Sequence, residues 1–302
     1  MKVWTEKVET MRQTAALLYN VFKIRIGLAI MVSALAGLAI TPGRILSVAE
    51  ICALALAVLG SSAAAGAFNH IIERDLDARM KRTRTRPFVT GRFAAGAPWY
   101  AGILLLLTAS VALAYWALNP MAALFVYLGA VVYGYIYTMV LKRRTAWNIV
   151  IGGLAGSFAV LAGAAAADPT PGLVPWLMAG VLFMWTPPHF WSLAMALRKD
   201  YAAAGVPMLP VVLGDGPAAR VILAHTIVLV VISLAPVFIG GPYALGPVYG
   251  TLAAVGGLYF IRASWRLVRN PGPAMAMKAF FASLVQLTAV LAGAILWGMG
   301  IV

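Results

Sequence analysis

Long uncharged runs alternate with short basic connections along almost the whole chain. The runs cover 26–43, 51–72, 93–141, 145–167, 169–197, 221–261 and 279–302. A membrane-spanning helix takes roughly 20 apolar residues, so 93–141 and 221–261 are each about double length. Helix breakers divide both, at Asn119-Pro120 and at Gly240-Gly241-Pro242. The pattern predicts an all-α protein, a polytopic bundle of nine transmembrane helices near 26–43, 51–72, 97–117, 121–140, 145–167, 173–196, 221–239, 243–261 and 279–299.

The basic residues favour that number. With the N-terminus cytoplasmic, nine spans place 1–25, 73–96, 141–146, 197–220 and 262–278 inside, and these segments hold 22 of the 23 Lys and Arg. Only Arg44 falls outside. Eight or ten spans would scatter cations over both faces, against the positive-inside rule. Residues 1–25, with five Lys/Arg and no small-residue cleavage site, read as an amphipathic cytoplasmic segment lying on the membrane. Val302 then falls on the opposite face.

Composition agrees: 63% of residues are apolar and 11% charged, where soluble domains carry about 25% charged residues. The net charge of +14 is divided among short loops, which suits anionic lipid headgroups and excludes a nucleic-acid surface. Cys52 is the sole cysteine, so internal disulfides and cysteine metal clusters are excluded. No polar stretch is long enough for a second folding unit, so 1–302 is expected to be a single membrane domain.

Candidate chemistry gathers on the inner side, because the outer connections are short and nearly featureless. The chain has nine acidic residues, and Glu73, Asp75 and Asp77 lie within five positions of each other. At about 100° per residue, Asn69, Glu73 and Asp77 share one helical face and Asp75 points away. Two carboxylates and an amide beside an arginine-rich loop suit a divalent cation carrying a polyphosphate. Mg²⁺ typically takes one or two carboxylates and completes its shell with water and phosphate oxygens. A solvated loop obeying the positive-inside rule explains the arginines but not the carboxylate face.

A second constellation follows the expected sixth helix. Pro187-Pro188 is expected to break that helix just before His189, and His189 and Asp200 would share a face within about 20°. The third patch is Lys142-Arg143-Arg144-Thr145 with Asn148, preceded by Tyr127, Tyr133, Tyr135 and Tyr137. Such tyrosines also suit the interfacial belt. His70 and His225 read as structural. A secondary transporter would carry ionisable groups near the membrane midplane, where this chain is nearly empty. A structural assembly factor for an oxidase would not need the Asn69/Glu73/Asp77 face.

Together the three patches resemble the UbiA superfamily of membrane prenyltransferases, and within it the branch that farnesylates haem. Asn69, Glu73, Asp77, Met80, Arg82, Thr83, Arg86 and Pro87 fill the first family motif. Residues 141–145 with 148–153 fill the second, and 189–193, Asp200-Tyr201 and 204–211 the third. Two departures stand out: Glu73 where Asp is more usual, and Ala159-Val160 where a Pro-Pro pair is common, which bears on the shape of the fifth helix.

The resemblance implies an enzyme that moves the farnesyl group of farnesyl diphosphate to a vinyl group of haem b. Water adds in the same reaction, giving haem O and diphosphate. It implies Mg²⁺ as cofactor on Asn69, Glu73 and Asp77, with Asp200 as a further catalytic carboxylate. Arg82, Arg86, Lys142 and Arg198 would contact the diphosphate. His189 and Tyr201 would serve the haem, His189 either ligating iron or orienting a water. The Gly/Ala-rich second, fourth and fifth helices would leave a groove for the farnesyl tail. The implied setting is the bacterial cell (inner) membrane, with hand-over of product to a haem A synthase or terminal oxidase. The nearest alternative is a quinone precursor or (bacterio)chlorophyllide as acceptor, with the same diphosphate site and a different acceptor pocket.

Overall fold

The computed structural model describes residues 2–239 and 241–301. Met1 and Val302, the termini that the charge pattern assigns to opposite faces, lie outside the described residues, as does Gly240 at the expected break. Every long element among the described residues is helical. Helix α1 (Lys2–Val21) leads into α2 (Ile24–Ala39), and the final stretch Met11–Val21 meets α2 at a 50° bend. Then come α3 (Val48–Ile72), the short α4 (Arg74–Arg79), α5 (Ala97–Ala117) and α6 (Pro120–Ala130). Next are α7 (Asn148–Gly152), α8 (Leu154–Ala167), α9 (Leu173–Ala196), α10 (Arg198–Ala203) and α11 (Leu209–Leu213). The chain ends with α12 (Asp215–Ile239), α13 (Pro247–Arg269) and α14 (Pro273–Gly298).

Local sequence sets the starts. Ser47 and Glu50 form a reciprocal capping box at α3, and Arg44 pairs with Glu50 at 2.5 Å. Proline stands in the first turn of α5, α6, α13 and α14, where its missing N–H has no partner to lose. Asn119 caps α6 through Ala122 N–H and donates to the Ala165 carbonyl at 2.7 Å, which ties the turn to α8.

Successive long helices pack side by side, α2 on α3, α3 on α5, α5 on α6, α6 on α8, α8 on α9, α9 on α12, α12 on α13 and α13 on α14. The ring closes where α14 meets α2, and α2 also packs across it on α8. Close backbone approach makes that crossing possible. A side chain at Gly163 would overlap the Ala34 carbonyl, and one at Gly37 the Val160 carbonyl. Small residues at such contacts are how helices associate where apolar burial gives no drive.

Among the described residues, six helices are long and apolar enough to cross a membrane: α3, α5, the continuous Pro120–Leu141, Asn148–Ala167, α12 and α14. The bent pair Met11–Val21 and α2 makes a seventh if it forms one span.

Four local expectations are corrected. The fourth helix does not stay α-helical; Val131–Leu141 is a π-helix. The fifth is divided at Gly153 between α7 and α8, while Ala159-Val160 sit inside α8 without a break. Pro187-Pro188 do not break α9, which runs on to Ala196. The Phe183 carbonyl, which loses its usual donor to Pro187, faces Gly153, where a side chain would begin 3.3 Å away. Finally, the groove expected along the Gly/Ala-rich helices is found on α3, at Gly60 and Ala63, whereas residues 162–167 of α8 are buried. Two apolar recesses of about 440 and 350 Å³ share Phe22 and Leu106; the first lies between α2, α3 and α5, the second along α5 at Pro98, Gly102 and Ile103.

Candidate active site

The inner end of α3 carries the first motif. Asn69 and Glu73 are 1% exposed and Asp77 3%. Glu73 ends α3 with φ −92° and ψ 7°, and α4 follows at once. The amides of Glu73 and Asp77 still donate to the carbonyls of Asn69 (3.0 Å) and Glu73 (2.8 Å). The i−4 spacing is therefore kept, and the three side chains stay on the buried face. Asp75 points outward, 51% exposed, in a forked pair with Arg143 whose two contacts are 2.7 Å each. That fork holds the Asp75 carboxyl below the usual carboxylate range.

Each of the three buried side chains meets a cation. Lys142 Nζ is 2.5 Å from Glu73 Oε2, and Arg86 Nη1 is 2.6 Å from Asp77 Oδ2. Lys23 Nζ donates to Asn69 Oδ1 at 2.5 Å and to the Tyr133 hydroxyl at 2.7 Å. Enclosure, with Arg86 next in importance, pulls the Lys23 ammonium down to about 7.

The π-helix supplies the wall. Tyr133 and Tyr137 stack with ring centres 5.7 Å apart. Thr138 Oγ1 donates to the Tyr133 carbonyl at 2.8 Å and accepts from Asn69 Nδ2 at 3.0 Å. This network assigns the Asn69 amide, nitrogen to Thr138 and oxygen to Lys23. Gly152 admits Tyr137, since a Cβ there would lie 2.9 Å from the ring. Widened helical turns of this kind recur at functional sites.

The loop after α4 folds back on the cluster. Thr83 donates to the Asp77 carbonyl at 3.1 Å, which brings Arg86 round to the carboxylate while Arg82 stays exposed. Phe88 and Phe93 then pack on Trp99, with ring centres 5.0 and 5.3 Å away. Trp99 also meets Phe22 at 6.2 Å, so this aromatic group anchors the turn that carries Lys23.

The third motif is arranged differently from expectation. Leu197, at φ −111° and ψ 26°, ends α9, so His189 and Asp200 belong to different helices and share no face. The break expected at the two prolines falls here instead. Asp200 is half-buried in α10, and Tyr201 is buried within electrostatic reach of Tyr137. Arg198 is exposed, 3.5 Å from Asp215.

His189 is packed between Trp185 (4.1 Å) and Phe280 of α14 (4.5 Å), with Nδ1 2.7 Å from Ser283 Oγ. The Ser283 hydroxyl donates to the Phe280 carbonyl at 2.6 Å, so the imidazole N–H must donate to Ser283. Its recorded partners lie on α9 and α14. The structure thus gathers Asn69, Glu73, Asp77, Arg86 and Lys142, while His189 bonds Ser283 and Arg198 faces Asp215.

The donor set fits Mg²⁺. Glu73 Oε1 is buried without a hydrogen-bond partner, and an amide plus two carboxylates leaves coordination positions for phosphate and water. No group of three His, Cys, Asp or Glu among the described residues could hold a metal unaided.

Lys23 and Thr138 were not legible as site residues, and Tyr133 stood only in a tyrosine cluster that also suits the interfacial belt. A lysine just before an apolar run reads as an orientation signal, and only the fold brings it to Asn69.

The UbiA prenyltransferase family matches residues 30–285. The chain is 58% identical to "Protoheme IX farnesyltransferase 2" of Paramagnetospirillum magneticum, over 91% of this chain and 94% of that relative. It is 42% identical to "Protoheme IX farnesyltransferase 1" of Cenarchaeum symbiosum, over 77% of each. Among solved structures, a digeranylgeranylglyceryl phosphate synthase superposes with TM-score 0.77 at 16% identity, over 95% of this chain and 99% of that one. A UbiA homologue from Archaeoglobus fulgidus bound to DMAPP and Mg²⁺ superposes with TM-score 0.66 at 16% identity, over 92% and 98%.

Proposed function

Because the chain belongs to the UbiA prenyltransferase family, and so is an integral membrane prenyl transferase, we propose that it transfers the farnesyl group of farnesyl diphosphate to a vinyl group of haem b, with addition of water, giving haem O and diphosphate. The observation that carries the donor half is the buried Asn69, Glu73 and Asp77 face lying against Lys142 and Arg86. The acceptor half rests on likeness to the farnesyltransferases.

Asn69, Glu73 and Asp77 would hold Mg²⁺, which when bound supplies a Lewis acid for the leaving diphosphate. Arg86 and Lys142 then turn from their carboxylates to phosphate oxygens, with Arg82 and Arg198 as further contacts from exposed positions. Arginine suits this through its paired donors. Asp200 and Tyr201 close the site from α10, beside Tyr137. His189 serves the porphyrin, its ring set by Ser283. Burial of the polar face keeps water from the allylic carbon except where the acceptor needs it. The farnesyl tail takes the apolar recess that starts at Phe22, next to Lys23, and follows Ala63, Gly60 and Leu59 along α3. Each buried CH₂ contributes about 0.8 kcal/mol.

The same reading places nine spans in the bacterial cell (inner) membrane, with the N-terminus and site cytoplasmic and Val302 opposite. What supports it is the 22 inner Lys/Arg against Arg44, and the lengths of α9 and α13, 24 and 23 residues. The product would pass to a haem A synthase or terminal oxidase.

The deciding test incubates the purified protein with labelled farnesyl diphosphate and either haem b or 4-hydroxybenzoate. Label in haem O is expected. Label only in the benzoate would move the acceptor to the quinone class, and label in neither would refute the transferase reading.

A further inference from the structure

The cations already seated on the metal ligands carry a consequence for how metal binds, given the diphosphate site proposed above. Asn69 has two polar atoms, and both are engaged: Nδ2 on Thr138 and Oδ1 on Lys23. Glu73 and Asp77 hold Lys142 and Arg86. Glu73 Oε1 is open, but a metal ion can take Asn69 Oδ1 only by displacing Lys23, and the paired oxygens of Glu73 and Asp77 only by displacing Lys142 and Arg86. The cluster holds three basic side chains, Lys23, Arg86 and Lys142, against two carboxylates, Glu73 and Asp77. Adding a divalent ion alone would raise an enclosed positive excess. A prenyl diphosphate brings roughly three negative charges, on the order of one to two per phosphate group, and would cancel it.

Lys23 is the member built for this exchange. At φ 49° and ψ 40° it is the non-glycine residue with positive φ among the described residues. Such a conformation is strained for a side chain with a Cβ and persists only where its surroundings impose it. Its stem lies in a slot left by Gly66, where a Cβ would stand 3.3 Å from Lys23 Cβ. The ammonium faces the Tyr133 ring, 5.3 Å from its centre, as well as the phenol oxygen.

We propose that Lys23 is an internal counter-cation that makes metal binding at Asn69, Glu73 and Asp77 conditional on a diphosphate, and that it passes from Asn69 Oδ1 to the diphosphate oxygens when the two arrive together. Metal and diphosphate then bind as one unit. Neither a bare metal ion nor a metal-free prenyl diphosphate fills the site well.

The test is equilibrium dialysis of Mn²⁺ against the full-length protein in detergent, with and without inorganic pyrophosphate. The wild type should hold Mn²⁺ at least tenfold more tightly when pyrophosphate is present. Lys23→Met should bind Mn²⁺ alone at least tenfold more tightly than wild type and lose most of the pyrophosphate dependence. Lys23→Arg should keep the wild-type pattern. Gly66→Val, which crowds the stem rather than removing the charge, should shift the same way as Lys23→Met and serves if that variant does not fold. Unchanged or weaker Mn²⁺ binding by Lys23→Met and Gly66→Val overturns the proposal. Glu73→Gln separates this from the site assignment: if it retains Mn²⁺ with pyrophosphate as tightly as wild type, the ligands are misassigned and the proposal falls with them.

Discussion

Replacing Glu73 by Gln and Asp75 by Asn makes the sharpest test of the buried face, because each substitution removes one carboxylate and almost no volume. Glu73 is 1% exposed, with one oxygen on Lys142 at 2.5 Å and the other without a partner. Loss of its charge removes a metal ligand and leaves the Lys142 ammonium, whose side chain is 13% exposed, without its counter-ion. A well-placed electrostatic group at a reacting centre is worth on the order of 10²–10³ in rate. Breaking a buried pair typically costs about 3–5 kcal/mol, so the folded fraction must be measured alongside turnover. Asp75 differs. Its pair with Arg143 is 51% and 40% exposed, where solvent screening leaves about 0–1 kcal/mol, or at most about fivefold. The expected gap in turnover between the two variants is therefore about 100-fold. The assay is farnesyl transfer to haem b by detergent-purified protein, normalised to the monodisperse fraction on size exclusion. Equal losses at both positions would refute the reasoning that burial, not charge alone, selects the functional carboxylates.

Other outcomes follow from the same geometry. Asp200→Asn should lower turnover more than tenfold, because few carboxylates stand near this site. His189→Ala should mainly weaken use of haem b and leave any hydrolysis of farnesyl diphosphate intact; full haem O formation by that variant would make the histidine purely a packing residue between Trp185 and Phe280. Gly163→Ala should destabilise the bundle by about 1–3 kcal/mol, the usual range for overpacking, since the new methyl meets the Ala34 carbonyl; a thermal midpoint matching wild type would show that α2 and α8 can separate without cost. Reporter fusions after Arg92, Arg144, Asp215 and Asn270 should all report cytoplasm, and any one found outside removes the nine-span topology.

The periodicity of charge along the chain was enough to define an all-helical membrane bundle, because a helix that must satisfy its backbone in lipid announces itself by apolar length. The Asn69, Glu73 and Asp77 face was also legible, since i+4 spacing is local geometry and survives the kink at Glu73. Positions where two conformations cost nearly the same were not legible. Pro187-Pro188 read as a break, yet α9 continues through them and ends at Leu197 instead. The π-helix at Val131–Leu141 has no signature beyond apolar residues and tyrosines, and depends on Gly152 making room for Tyr137. Charge pairing is decided over still longer separations. Lys23 reaches Asn69 across 46 positions, and Lys142 reaches Glu73 across 69. Composition shows that cations abound on the inner side; only the closed ring of helices determines which of them share an enclosed space with the carboxylates, because that choice rests on the room left at Gly66 for the Lys23 stem and at Gly152 for Tyr137, and on the bend before α2.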